Sequence, residues 1–387
     1  MTLTILAVLG FAVSLDLLIG EPPNTLHPVA WFGRVVGLVD REWTSDERRL
    51  RWIGVVVAVV LPLSAAVLVG AIVGGILDVQ PMAGAVAAAL VLFLTTSLRR
   101  LLDLTREVID ATDVGGVGEN EIGAGVEMGV ETETRTETET KGDLETARTL
   151  VRGLVGRDTE GLSAPQLRSA AVESAGENFS DGLIAPLLPF VVLAPVSLPL
   201  AAAAAAWVKA VNTLDSMLGY RSKPIGTASA RLDDAVMWVP ARISAGLLAL
   251  AALDPGSLAR ANEWARVPSS PNAGWPMATL ACALSVRLEK RDAYVLNPDA
   301  SLPTVDDGAR AIRIVGLAAV LAFALSTVLT VYSPAVAIVE FGRGTELEEL
   351  GADAVALGIG IGIGIGIESG IEPRIQNWIL ALEVVRP

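Results

Sequence analysis

The sequence predicts an all-α, polytopic membrane protein, and three observations lead there. Hydrophobic residues make up 52% of the 387 positions, and the mean hydropathy is +0.54. Soluble domains run nearer ~45–50% apolar even when glycine is counted. The apolar residues are also gathered into runs with few or no charges: Leu3–Leu15, Trp52–Leu77, Met82–Leu98, Leu183–Val208, Ala235–Leu253 and Ile314–Val339. Finally, the net charge of −14 belongs to two segments and not to the body of the chain. Asp113–Asp143 carries a net −7 and Glu340–Glu372 a net −6, so the remainder is nearly neutral.

A span needs ~20 apolar residues, within a range of ~17–25. Trp52–Leu77, Leu183–Val208 and Ile314–Val339 meet that length easily. The first run lacks a basic leader and a small-residue cleavage site, and Asp16 closes it, so it reads as a retained first helix rather than a signal peptide. Residues 1–112 therefore read as N-terminal membrane helices with a first loop. Residues 113–143 include "GVETETRTETETKGD", whose alternation leaves neither face apolar, so this segment reads as a disordered acidic linker. Residues 144–339 form the informative membrane region. Residues 340–387 hold "GIGIGIGIGI" and read as a low-complexity tail, because glycine at every second position weakens helix and strand alike.

Arginines crowd the first loop (Arg34, Arg41, Arg48, Arg49, Arg51) and the third (Arg99, Arg100, Arg106, Arg148, Arg152). The positive-inside rule puts both loops in the cytoplasm, and with them "ESAGENFSDG" at residues 173–182. The run Leu183–Val208 then raises a conflict. A full crossing would carry Lys209, Arg221, Lys223 and Arg231 to the outer side. Pro186, Pro189, Pro195 and Pro199 interrupt it, and proline removes a backbone donor and clashes with the preceding turn. A re-entrant helical hairpin, its broken backbone covered by protein, keeps both flanks cytoplasmic.

Chemistry-bearing residues gather at the edges of this hairpin. Glu173, Glu177 and Asp181 stand at i, i+4, i+8 on one predicted helix face, with Asn178 beside them. Like charges so spaced repel, and a cation or donor-rich ligand would relieve them; the alternative is a solvated acidic face. Beyond the hairpin, "KAVNTLDSMLGY" sets Lys209, Asn212 and Asp215 three residues apart. "RLDDAVMWVPAR" follows with Arg231, Asp233, Asp234 and Arg242. Ionisable groups at membrane depth are costly and default to function. Carboxylates suit Mg²⁺, while lysine and arginine suit phosphate, so the set reads as a phosphate-handling site. One cysteine, Cys282, and one histidine, His27, leave no zinc site of the usual kind and no intrachain disulfide. Neither a Walker A loop nor a G-x-S-x-G elbow is present. His27 reads either as a structural residue before a proline turn or as a substrate contact. Asn272 and Trp275 in "SPNAGWPMA" offer a surface for a flat macrocycle, though tryptophan is common at membrane interfaces without any ligand.

The stretches "DLLIGEPPNTLHPVAWFGR", "ESAGENFSDGLIAPLL", "KAVNTLDSMLGY", "RLDDAVMWVPAR" and "SPNAGWPMA" resemble the CobD/CbiB family of adenosylcobinamide-phosphate synthases. The resemblance runs from about Asp16 to about Val339, in the family's order. At the family's usual aspartate near the start this chain has Glu21, which keeps a carboxylate. The resemblance implies a multi-pass cell-membrane enzyme of vitamin B12 biosynthesis, with its site facing the cytoplasm. Such enzymes join adenosylcobyric acid to aminopropanol or aminopropanol phosphate, a carbon–nitrogen ligation using ATP. On that footing Glu173, Glu177, Asn178, Asp181, Lys209, Asn212 and Asp215 are expected to be catalytic. His27, Arg221, Lys223, Arg231, Arg242, Asn272 and Trp275 are expected to bind substrate. Glu177, Asp181, Asp215, Asp233 and Asp234 are expected to hold Mg²⁺. The partners expected are the corrinoid and amine substrates, the lipid bilayer and other late enzymes of the pathway, and no nucleic acid. The competing reading is a non-catalytic membrane sensor of the same superfamily, like AmpE, since fold alone does not fix function. A corrinoid transporter would call for paired internal repeats, which the sequence lacks.

Overall fold

The computed structural model describes residues 1–41, 43–113, 144–153, 159–220 and 222–333. The acidic linker (beyond Asp113) and the tail assigned from sequence lie outside these residues, as does Arg221.

The described chain is helical apart from one small hairpin. The first helices are α1 (Thr2–Leu18), α2 (Pro28–Val39), α3 (Glu47–Val79), α4 (Pro81–Thr95) and α5 (Leu98–Ala111), and a further helix, α6, covers residues 144–152. α7 (Ala164–Phe179) then runs through a π-turn (Ser180–Ile184) into α8 (Ala185–Leu193), and α9 (Leu198–Leu218) returns beside it. α10 (Thr227–Val236), α11 (Trp238–Ala251), α12 (Gly256–Trp264), α13 (Gly274–Leu284) and α14 (Val305–Val331) complete the bundle. Between α13 and α14, β1 (Leu288–Lys290) pairs antiparallel with β2 (Tyr294–Leu296).

Among the described residues, three stretches are long and apolar enough to cross a membrane: Glu47–Val79, Pro81–Ala111 and Val305–Val331. A fourth arises if Pro224–Val236 and Trp238–Ala251, which meet at 47°, form one broken span. Much of α3 faces outward with apolar side chains such as Val56, Val67 and Leu68, as a lipid-facing helix should. Its start is fixed by Asp46, whose carboxylate accepts from the backbone N–H groups of Arg48 and Arg49.

The run Leu183–Val208 forms the hairpin that its prolines predicted. Pro186 has no N–H to return to the preceding turn. The Gly182 carbonyl in that turn accepts instead from the Ser97 N–H at 3.1 Å. A Cβ on Gly182 would sit 2.7 Å from Ser97 Oγ, so a larger residue here would make the Ser97 hydroxyl turn aside. Ala194–Ser197 close the hairpin, and Ser197 caps α9. Ala201, Ala202 and Ala205 are fully buried, since small side chains let α9 lie close to its neighbours. The ends of the two arms meet again: Asn212 Nδ2 donates to Asp181 Oδ2 at 3.3 Å. About 13 residues separate Asp181 from the turn, a depth of roughly 20 Å, against a hydrocarbon core of about 30 Å. From its mouth at Asp181 and Asn212 the hairpin is therefore shorter than that core is thick, as a re-entrant hairpin requires.

Candidate active site

Two helix ends are locked to each other before the site begins. Asp16, near the end of α1, accepts from the Arg99 N–H at 3.0 Å and so caps α5 from another helix. Arg99 Nη1 in return donates to the Leu17 and Leu18 carbonyls at 2.9 and 2.8 Å. This exchange satisfies orphan groups at both termini and anchors the loop that carries Glu21 and His27. His27 is buried, and its Nδ1 accepts from the Val29 N–H at 3.2 Å as the N-cap of α2. Burial holds the imidazole below its usual range, which favours the neutral tautomer this cap requires.

Behind that loop the helical hairpin presents its polar ends. Glu177 lies within electrostatic reach of Asp181, and Lys209 of both Asp181 and Glu21. Asp233 of α10 faces Asp181, Asp215 and Asp234, and its carboxyl is hydrogen-bonded to Asn212. Asp181 and Asp215 flank the apolar run rather than lie within it. Burial, with the Glu177 charge second, raises Asp181 to about 7. Burial, with Asp234 second, raises Asp215 to about 6. Six of the residues singled out from sequence thus converge from α7, the π-turn, α9 and α10: Glu177, Asp181, Lys209, Asn212, Asp215 and Asp233, with Asp234 at their edge. An apolar cavity of ≈ 130 Å³ opens beside them, bounded by Phe32, Val69 and Leu94, with Lys209 its one charged lining residue.

Other expected site residues are placed elsewhere. Glu173 does not share the Asp181 end of the helix. It is buried beside β2, where its Oε1 accepts from Tyr294 Oη at 2.8 Å. The π-turn ends the i, i+4, i+8 register after Glu177, so a uniform helix face overstates the set. Asn178 turns back to Ser174, donating to its carbonyl and its Oγ at 3.0 and 2.8 Å. Lys223 forms an ion pair with Asp40 at 2.6 Å and lies by the Tyr220 ring. Arg231 is exposed on α10. Arg242, Asn272 and Trp275 hold one another: the guanidinium donates to Asn272 Oδ1 and, at 3.1 Å, to the Pro271 carbonyl. It also stacks between Trp238 and Trp275, 4.7 and 5.4 Å from the ring centroids. Asn272 Nδ2 then donates to the Asp234 carbonyl at 2.7 Å, so this clasp positions α10.

Glu21 is the residue that sequence reasoning left out of the site. Its carboxylate faces His27 and Lys209. Its loop carries one of the family-like stretches, but nothing local shows that it folds against residues nearly two hundred positions away.

Among the described residues, no group of three or more histidine, cysteine, aspartate or glutamate side chains is arranged to hold a metal ion. The five-carboxylate Mg²⁺ set is not assembled as one centre. However, Asp215 Oδ1 and Asp233 Oδ1 are buried without a hydrogen-bond partner among the described residues, an unmet need that a cation would fill. Mg²⁺ commonly takes one or two carboxylates and completes its shell with water and substrate phosphate oxygens. Two facing aspartates fit that habit.

Fold and site together define a polytopic membrane protein with a carboxylate–lysine cluster at the mouth of a helical hairpin. The family model described as "CobD/Cbib protein" matches residues 9–122 and 121–324, and the chain belongs to that family. It is 37% identical to the cobalamin biosynthesis protein CobD of Geobacter metallireducens, over 78% of this chain and 86% of that protein. It is 36% identical to the CobD of Klebsiella pneumoniae, over 80% and 93% of the two chains. A probable CobD of Methanothrix thermoacetophila is 32% identical over 84% and 96%. No solved structure matches the chain.

Proposed function

We propose that this membrane protein acts in cobalamin biosynthesis as an ATP-dependent ligase. It would join a carboxylate of adenosylcobyric acid to the amine of aminopropanol or aminopropanol phosphate. Two findings support the reading: kinship with cobalamin biosynthesis proteins over most of the chain, and the pocket. The observation that carries the chemistry is the meeting of Asp181, Asn212, Lys209, Asp215 and Asp233 at the hairpin mouth.

A carboxylate is a poor electrophile. Transfer of a phosphoryl group from ATP converts one oxygen into a leaving group, and attack by the amine then forms the amide and releases phosphate. Lys209 would neutralise the charge on the transferring group, where a preorganised cation in a water-poor site acts most strongly. Asp181, ionised above about pH 7, would take the proton that the amine must lose. Asn212 would hold Asp181 in place. Asp215 and Asp233 would hold Mg²⁺, which, when bound, supplies charge neutralisation at phosphate oxygens.

The direct test is purified protein in detergent, supplied with ATP, Mg²⁺, adenosylcobyric acid and each amine in turn, with the product read by mass. Absence of ATP-dependent amide would refute the ligase. A nutritional test is independent. Cells lacking the gene should make cobalamin from supplied cobinamide, in which the arm is attached, but not from cobyric acid. Growth on both would refute it equally.

A further inference from the structure

We propose that α2 is an interfacial helix whose outer face sits at the boundary between phospholipid headgroups and acyl chains, with Arg34 and Arg41 set against lipid phosphates. The reasoning goes beyond the ligase reading and does not depend on it.

α2 is apolar on two sides. Its inner stripe, with Phe32 half-buried and Val36 fully buried, packs on α3 and α9. Its outer stripe, Trp31, Val35 and Leu38, follows helical spacing and is exposed, Leu38 at 73%. A helix apolar on both faces needs a non-aqueous neighbour. At 12 residues it spans only about 18 Å, short of the ~30 Å needed to cross.

The surroundings say what that neighbour is. A few residues on, α3, against which α2 packs, begins a candidate membrane span and turns Trp52 and Val56 outward, so α2 lies beside a helix whose outer face suits lipid. Trp31 Nε1 donates to the Thr25 carbonyl at 2.9 Å and Trp43 Nε1 to the Val39 carbonyl at 3.0 Å. Both indoles therefore bring no unmet donor to an apolar boundary. Arg34 lies on the same outer stripe and reaches the Asn24 carbonyl at 3.3 Å, while Arg41 stacks 3.9 Å from the Trp43 centroid. Tryptophan rings with adjacent arginines on a short apolar helix suit the headgroup level. A second copy of the chain fits less well, since a two-fold contact on this face would gather Arg34 and Arg41 of both copies into one seam. Because His27 caps α2, the Glu21–His27 end of the pocket would then lie at headgroup depth.

The test uses the full chain in phosphatidylcholine–phosphatidylglycerol vesicles with a bimane label on L38C, and separately on V35C. Cys282 is buried, and unsubstituted protein provides the labelling control. The expected result is a blue-shifted emission quenched most by a lipid nitroxide near the headgroup. Dominant quenching by aqueous iodide, or by a nitroxide deep in the chains, would overturn the proposal. So would cross-linking of L38C between two copies. The R34Q/R41Q double variant of each labelled protein should lose shallow quenching, and unchanged quenching would remove the arginines from the proposal.

Discussion

The hairpin mouth and the α11–α13 clasp both gather charged and amide side chains, yet they treat their polar groups in opposite ways. In the clasp, Arg242 is satisfied by Asn272, by backbone carbonyls and by two tryptophan faces. Asn272 in turn donates to the Asp234 carbonyl. At the hairpin mouth, four aspartates crowd together, and Asp215 and Asp233 each keep a buried oxygen without a partner among the described residues. Burying polar groups is tolerable when they are paired, and leaving one unpaired costs about 1–3 kcal/mol. The contrast sets a self-satisfied clasp apart from the candidate site.

The largest expected effect falls on the unpaired side. D181N and K209M should each lower turnover by about 10²–10⁴-fold, the range for lost acid–base or charge-stabilising groups, while membrane insertion and folding persist. Near-normal turnover in either would move that residue to the scaffold. Asp181 also gives a signed pH prediction. Its ordinary value is 3.8 and its folded value is about 7, so between these the folded state holds a proton that the unfolded chain has lost. Stability therefore falls as pH rises from about 4 to 7 and levels off above. D181N should flatten that slope and melt higher than the parent above pH 7, even as it loses activity. A thermal shift series across pH checks both.

On the paired side the losses should be of stability. R242A removes charged hydrogen bonds and two ring contacts, and should cost about 2 kcal/mol. Turnover should drop less than in D181N. Next in size is G176A. A Cβ there would lie 3.3 Å from the Pro276 carbonyl oxygen and the Met277 Cα, so α7 and α13 must part slightly, for about 1–2 kcal/mol. An unchanged melting temperature would show that the contact can give without cost.

The sequence made the helices, the proline-broken hairpin and most of the pocket legible because each has a local signature. Apolar run length, proline spacing and acids before an apolar stretch are all readable within twenty residues. Glu173 misleads because its local spacing is right for the face, whereas Tyr294, more than a hundred residues later, donates to its carboxylate. Glu21, the Asp16–Arg99 exchange and the Arg242–Asn272 pair were illegible as contacts because each joins distant elements. The π-turn was hidden as well, since it is set by how Pro186 and Gly182 meet Ser97 rather than by the residues of the turn alone.

The smallest effect expected is at Lys223, and it bears most directly on the comparison. The resemblance, together with the affinity of lysine for phosphate, put this lysine among the expected substrate-binding residues. The structure gives its ammonium to Asp40, with both side chains about one-third exposed, and a pair of that exposure is worth roughly 0–1 kcal/mol. If Lys223 belongs to the scaffold, K223Q should melt within about a degree or two of the parent, consistent with so small a loss, and keep its Michaelis constant for ATP. The charge-reversed pair D40K/K223D should recover whatever K223D alone loses, since only the attraction between the two is at stake. A raised Michaelis constant for ATP in K223Q, not rescued in the reversed pair, would return Lys223 to the site. It would also mean that an ion pair at the rim opens to admit phosphate.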